Sequence, residues 1–156
     1  MSVEAIKRKV ETLQSSVATM VITTMREDNL PTLGYLPFII ENDELYIFTS
    51  TLAEHGANLK AGRDASVMFI EDEADAKKIS ARTRAIFQTD YELVEKGDCQ
   101  TVIDRFVNEV DESYEVLAMM ADFSIYKLSL KDGRYVQGFG AAFSQDENGD
   151  WQHLKF

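Results

Sequence analysis

Arg82 and Arg84 stand two residues apart in Ile79-Ser80-Ala81-Arg82-Thr83-Arg84-Ala85-Ile86, a run that reads as a strand. Side chains alternate across a strand, so both guanidiniums should leave from one face, about 6.7 Å apart along the backbone. Two fixed guanidiniums on one face are suited to a phosphate or a carboxylate, gripped by paired, charge-assisted hydrogen bonds. The acidic turn just upstream, Glu71-Asp72-Glu73, offers a competing use for them as ion pairs within the chain. Two other stretches carry polar groups at positions that could meet a ligand. Thr49-Ser50-Thr51 closes a strand-like run with three hydroxyls, followed by His55-Gly56-Ala57-Asn58-Leu59. Asp122-Phe123 opens an alternating run that leads to Gly133-Arg134-Tyr135-Val136-Gln137-Gly138-Phe139-Gly140.

Other chemistries find no support. There are two histidines, His55 and His153, far apart in sequence, and one cysteine, Cys99, so no metal-ligand spacing is present. No nucleophile elbow, phosphate-binding loop or dinucleotide fingerprint occurs. Gly138-Phe139-Gly140 reads as a bulge or a close backbone approach rather than a phosphate cradle. A chain this poor in acid, base and nucleophile leaves hard chemistry to a bound cofactor, or else is a plain binding module.

The balance of 27 acids against 16 bases, a formal charge of −11, argues against nucleic acid and anionic membrane as partners. An anionic ligand would need a local basic pocket. The lone cysteine forms no disulfide within the chain and suggests a cytoplasmic home. The N-terminus is charged and amphipathic, unlike a signal peptide, and no run reaches membrane-span length. A length of 156 residues predicts one domain, 1–156, able to bury about 70% of its unfolded surface.

The elements that must position these residues follow from the pattern. Residues 2–14 read as a helix, with Ser2 as its cap and Val3, Ile6, Val10 and Leu13 on one face. Three extended runs follow, Val17–Met25, Leu30–Ile40 and Leu45–Ser50, with short polar turns that suggest an antiparallel meander; Pro31 and Pro37 put the middle run near an edge. A short helix is expected around Glu54–Lys60. Ala65–Ile70 is nearly all apolar and should be buried on both faces. Ile79 to about Val94 reads as a long or bent strand, and Asp98–Val110 as a helix capped by Asp98, with another turn or two at 113–120. Phe123–Leu130 and Tyr135–Phe143 should be strands separated by a Lys131–Arg134 turn, with Trp151–Phe156 a closing strand. Six to eight strands without regular β-α alternation predict a mainly β, α+β protein: an antiparallel barrel with flanking helices.

The segments GYLPF, HGANL, FIEDEADAKKISARTRA and GRYVQGFGAAF together resemble the FMN-binding split barrels related to pyridoxamine 5'-phosphate oxidase, and within them the HugZ/HutZ heme-utilisation branch, across roughly residues 15–145. The resemblance implies a homodimer of six-stranded split barrels with two pockets at the subunit interface. It implies that an FMN phosphate would meet Arg82, Arg84, Ser50 and Thr51, that His55 and Asn58 lie close by, and that the backbone around Gln137 and Gly138 lies near the ring. Relatives often carry a lysine where His55 stands; a neutral imidazole there would weaken phosphate binding, while a protonated one could keep it. In the heme-handling branch, the resemblance implies that an arginine of this run lies by the heme. It also implies that an aspartate at the place of Asp122 supports an iron-ligating histidine from a C-terminal tail. The chain ends at Phe156, and the expectation is that this tail is missing. His153 then reads as a strand residue, with iron ligation the alternative.

Three readings follow. The first is a cytoplasmic flavoprotein, an FMN-dependent oxidoreductase. The second is a heme-binding or heme-degrading protein, and the third a non-catalytic module whose arginines pair with Glu71, Asp72 or Glu73. Vitamin B6 oxidation is disfavoured because the late segment Gln145–Asp150 is acidic rather than basic. The expected order puts FMN first.

Overall fold

The computed structural model describes residues 1–154. It opens with helix α1 (Val3–Ser16), capped where the Ser2 hydroxyl accepts the Ala5 N–H at 3.2 Å. The helix turns Ile6, Val10 and Leu13 into the core, as its spacing predicts. Strands β1 (Thr19–Met25) and β2 (Pro31–Pro37) form a hairpin whose turn needs a left-handed residue, supplied by Asn29 with φ 63°. Strands β3 (Ile39–Glu41) and β4 (Glu44–Ser50) form a second hairpin, turned at Asn42 and Asp43, both left-handed. Consecutive left-handed residues match the twist of paired strands, and asparagine and aspartate tolerate that conformation. Then come α2 (Glu54–Lys60), β5 (Ala65–Ile70), β6 (Arg84–Val94), α3 (Gln100–Glu109), α4 (Tyr114–Leu117), β7 (Phe123–Val136), β8 (Ala142–Gln145) and β9 (Trp151–His153).

The strands pair antiparallel in the order β2-β1-β5-β6-β7-β4-β3, with β8 and β9 added beyond the end of β7. The two outermost strands of that path, β2 and β3, are consecutive in sequence and joined by Phe38 alone. A sheet whose edges are one residue apart must curl until they meet. Counted as one bent strand, β2 and β3 bring the path to six strands, which is the split barrel expected. The three early runs therefore pair in sequence order as the expected meander, with the middle run bent at Phe38 into β2 and β3. Pro31 and Pro37 do sit on an edge strand, where a missing N–H leaves no ladder rung empty.

Two cores stabilise this arrangement. The barrel interior holds Ile22, Ile47, Val67, Phe69, Ala85 and Tyr126 under the apolar face of α1. Outside it, α3 and α4 lay Val102, Ile103, Phe106 and Tyr114 against Phe48, Ile125 and Phe123, with Phe48 edge-on to Phe106. Arg105 fastens α3 to the β3–β4 hairpin by donating to the Ile40 carbonyl and to Glu41 at 2.7 Å, and it also pairs with Glu109. Residue Cys99, not Asp98, occupies the cap position of α3, and no side chain caps it.

Several local expectations change. Strand β5 alternates buried and half-buried instead of hiding both faces, so Met68 and Ile70 look outward. Residues Ile79–Ala81 form a 3-10 turn, and β6 begins only at Arg84. Lys131–Arg134 does not turn the chain. Strand β7 runs through it with an irregularity at left-handed Asp132 (φ 51°), where its register with β6 slips. Such a slip is a bulge, which bends the strand while pairing resumes on either side. The reversal comes later: Gln137 donates its N–H to the Ala141 carbonyl, and Gly140 (φ 74°) takes the left-handed position between β7 and β8. The closing strand is Trp151–His153; Lys155 and Phe156 lie outside the described residues.

Candidate functional site: two half-sites at opposite ends of one strand

The residues singled out by sequence fall into two groups. Ser50 lies opposite Phe123 at the start of β7, while Arg84 lies opposite Val136 at its end. Thirteen residues of strand separate those positions, about 40 Å of path at 3.3 Å per residue. Among the described residues no hydrogen bond joins the two groups. One small anion in one chain does not reach both.

The first group sits where β4 passes into α2. Ser50 is buried and donates its hydroxyl to Asp122 Oδ2 at 2.6 Å, while its oxygen accepts the Leu52 N–H at 3.0 Å. The Thr51 N–H goes to the Asp122 carbonyl and the Ala53 N–H to the Ser50 carbonyl. Asn58 is buried, with its Nδ2 donating to Thr24 and its Oδ1 accepting from Arg63. Both ends of that amide pin α2 to β1 and to the following loop, so Asn58 is a structural tie and not the free pocket group expected of it. His55 is half-buried, with Nε2 2.9 Å from Thr49 Oγ1. Its Nδ1 lies 2.8 Å from where a side chain on Gly34 would begin, so any larger residue at that place on β2 would have to displace the imidazole.

Burial pushes the His55 imidazole below its ordinary value of 6.5. The unfolded chain therefore holds that proton more tightly than the folded one. Stability is complete above about pH 6.5 and declines as the pH falls below it. Melting curves from about pH 7.5 to about pH 5.5 should show this loss, and His55→Gln should flatten it. An unchanged slope in the variant would remove His55 as its source.

The second group sits where β5, β6 and the β7–β8 turn converge. Arg82 lies outside the strand and folds back, giving Nε and Nη2 to the Glu71 carbonyl at 3.1 and 2.6 Å. Arg84 gives Nη1 to the Arg82 carbonyl at 3.0 Å. The acidic turn does not pair with them: Glu71 uses its carboxylate to accept the Thr83 N–H at 2.7 Å. Neither arginine makes an ion pair among the described residues. The paired-guanidinium face and the ion-pair alternative are thus both replaced by a backbone clasp that closes the β5–β6 connection. The 3-10 turn ends at Ala81, and Arg82 follows it with extended backbone (φ −59°, ψ 135°).

Beside that clasp lies a cleft of about 580 Å³ whose lining sets Lys9, Lys77 and Lys78 beside the carboxylates of Glu71 and Asp75, with Tyr135, Gln137 and Phe139. The sequence reading found Gln137 and Gly138 there but missed the lysines; the adjacent Lys77-Lys78 pair was the available signal, and Lys9 joins them only through the packing of α1. Phe139 is 77% exposed, with the Lys78 ammonium 6.0 Å from its ring centre. The buried Tyr135 donates to Gln137 Oε1 at 3.4 Å, and burial followed by the Glu71 charge pushes its phenol upward. Tyr135 pairs with Phe143, and Phe143 with His153, so the three rings form a row across β7, β8 and β9. His153 is exposed, edge-on to Phe143, with Nδ1 2.9 Å from the Leu154 carbonyl. A carbonyl only accepts, so Nδ1 carries the proton and Nε2 of the neutral ring keeps a free lone pair. Asp122 stands at the other end of β7, so it does not support His153 within one copy.

No helix among the described residues is long and apolar enough to cross a membrane. The sequence profile of the pyridoxamine 5'-phosphate oxidase family matches residues 6–137. A protein named heme oxygenase HutZ, from Vibrio cholerae, is 32% identical over 142 residues, covering 88% of this chain and 80% of HutZ. The crystal structure of HutZ, described as a heme storage protein, superposes with a TM-score of 0.75 at 25% identity, over 88% of this chain and 97% of the other. The structure of Campylobacter jejuni ChuZ gives 0.87 at 24% identity, over 97% of this chain. The chain spans only 63% of ChuZ, and that likeness establishes the fold. With a profile that spans most of its length and a relative above the 30% level, the chain belongs to the pyridoxamine 5'-phosphate oxidase family, in the branch that includes HutZ.

Proposed function

We propose that this chain binds heme and serves heme utilisation, with a homodimer as the working unit. The observation that carries the reading is the 32% identity, over 88% of the chain, to a protein named for heme. The donor set at the β7–β9 end suits that group. His153 offers a free Nε2 with its other nitrogen on a backbone carbonyl, the usual second partner of a metal-bound imidazole. Lys9, Lys77 and Lys78 would meet the propionates, and Phe139 offers an exposed apolar face. Bound heme would supply a redox-active iron; the residues around it would hold and orient it. FMN, the first choice from sequence, loses ground because His55 is held toward its neutral form and the arginines are clasped to backbone carbonyls. Titration of the purified chain with hemin should produce a shifted Soret band that saturates. A spectrum that stays the sum of free hemin and protein would overturn the reading.

The second copy is supported by the outer face of the barrel. Tyr35, Val21, Met68 and Ile86 stand directly opposite one another across β2, β1, β5 and β6. Tyr35 is 73% exposed and its neighbour Leu33 75%. An apolar row of this kind crossing four strands marks a covered surface. Arg84 leaves β6 on the same face, two residues from Ile86. A partner seated there would bring its own half-site toward the arginine end of this one, which a single copy does not do. Tyr35→Glu should convert a dimer to a monomer in light scattering. A wild-type chain that is monomeric at high micromolar concentration would remove the dimer.

A further inference from the structure

We infer that Asp122 is a specificity-determining residue that makes this chain reject phosphate-bearing cofactors, by occupying through Ser50 the place that a phosphate would need. The inference concerns what the half-site at β4–α2 excludes and stands whether or not heme binds elsewhere.

The Ser50 hydroxyl and the backbone donors that follow it are all engaged. The single hydroxyl proton of Ser50 goes to Asp122 Oδ2 at 2.6 Å. A carboxylate only accepts, so that proton is not available to a phosphate oxygen. The next three backbone N–H groups are also engaged: Thr51 with the Asp122 carbonyl, Leu52 with Ser50 Oγ, and Ala53 with the Ser50 carbonyl. A turn that cradles an anion works by leaving such N–H groups convergent and free. Here they converge on oxygens of the chain itself. Of the nearest side chains, the His55 ring nitrogen faces Thr49 and the Asn58 amide is tied to Thr24 and Arg63, which leaves the half-buried Thr51 hydroxyl as the one side-chain donor of the turn without a partner among the described residues. A phosphate against Ser50 would therefore find no free hydroxyl proton on that residue and a carboxylate within hydrogen-bond reach of it. Like charges at that separation in a half-buried site repel strongly. An arginine brought by a second copy would have to satisfy the aspartate before it could serve the ligand.

Asparagine at 122 would lift the charge and, through its Nδ2, could donate to Ser50 Oγ and release the hydroxyl proton outward. Serine at 122 would lift the charge without an amide. The test compares FMN with riboflavin, the same ring without the phosphate, by quenching of flavin fluorescence on the full chain. For the wild type, FMN should bind no more tightly than riboflavin, and absence of binding by either agrees with exclusion. In Asp122→Asn or Asp122→Ser, FMN affinity should rise about tenfold or more, with no matching rise for riboflavin. A wild type that prefers FMN over riboflavin overturns the inference whatever the variants do. So does either variant, melting in a single cooperative transition, whose FMN affinity stays within about twofold of wild type. The hemin titration is read separately, so failure of the heme reading and failure of this one are distinguishable.

Discussion

Gly56→Ala will lower the melting temperature by about 10 °C, while Gly97→Ala will leave it nearly unchanged. Gly56 is buried in the first turn of α2, and a methyl there would overlap the backbone carbonyl of Ser50 and crowd Thr49 Oγ1 at 3.3 Å. The obstacle is main chain at the end of a paired strand, so it does not rotate aside. Overpacking of this kind costs about 3 kcal/mol at the upper end of its usual range. The helix must lift, which would carry His55 off Thr49 and strain the Asn58 tie to Thr24. The pH-dependent part of stability should fade in the same variant. Gly97 has open space where a side chain would go and no left-handed backbone, so alanine there is neutral or slightly stabilising. Equal melting temperatures for both variants would mean that α2 does not seat against β4 as described.

His153→Ala will abolish the shifted Soret band or weaken hemin binding on the order of a hundredfold, and His55→Ala will leave the band in place. The contrast rests on the second nitrogen of each ring. The Leu154 carbonyl holds Nδ1 of the exposed His153, and Nε2 has no partner among the described residues. For His55, Nε2 is engaged by Thr49 and Nδ1 is pressed against Gly34. A conservative His153→Met change should give a displaced band rather than none, because a thioether still ligates iron. If His153→Ala kept the wild-type spectrum and affinity, the iron ligand would have to come from elsewhere.

Much of the scaffold was legible in the sequence because its signals are local. Ser2 and the Ile6-Val10-Leu13 spacing announce α1, and the polar turns at Asn29 and Asn42-Asp43 announce two hairpins. What escaped depended on distant partners. Strand β7 continues through Lys131–Arg134 because β6 is long enough to keep pairing with it on both sides of the bulge. The half-buried side of β5 still carries the apolar Met68 and Ile70, so composition alone implied burial on both faces. For the site, residue types were easier to read than their commitments. Ser50, Asn58, Arg82 and Asp122 are polar groups near candidate pockets, yet each already has a partner. Those partners lie as far as 72 residues away for Ser50 and Asp122. Spacing alone could not show that Arg82 donates to the Glu71 carbonyl and Arg84 to the Arg82 carbonyl, because those contacts depend on how the β5–β6 connection folds back.

The seam at Phe38 also decides where this barrel can yield. Its two sides are tethered covalently at that point, so the wall is least free to gape there. By contrast, the β8–β9 ribbon hangs from the tip of β7 by three register pairs, and its outermost strand carries His153. Trp151, edge-on to Phe87, is the aromatic latch that keeps this flap folded against the body. Any group held by His153 would therefore shift with this ribbon whenever it moves against the body.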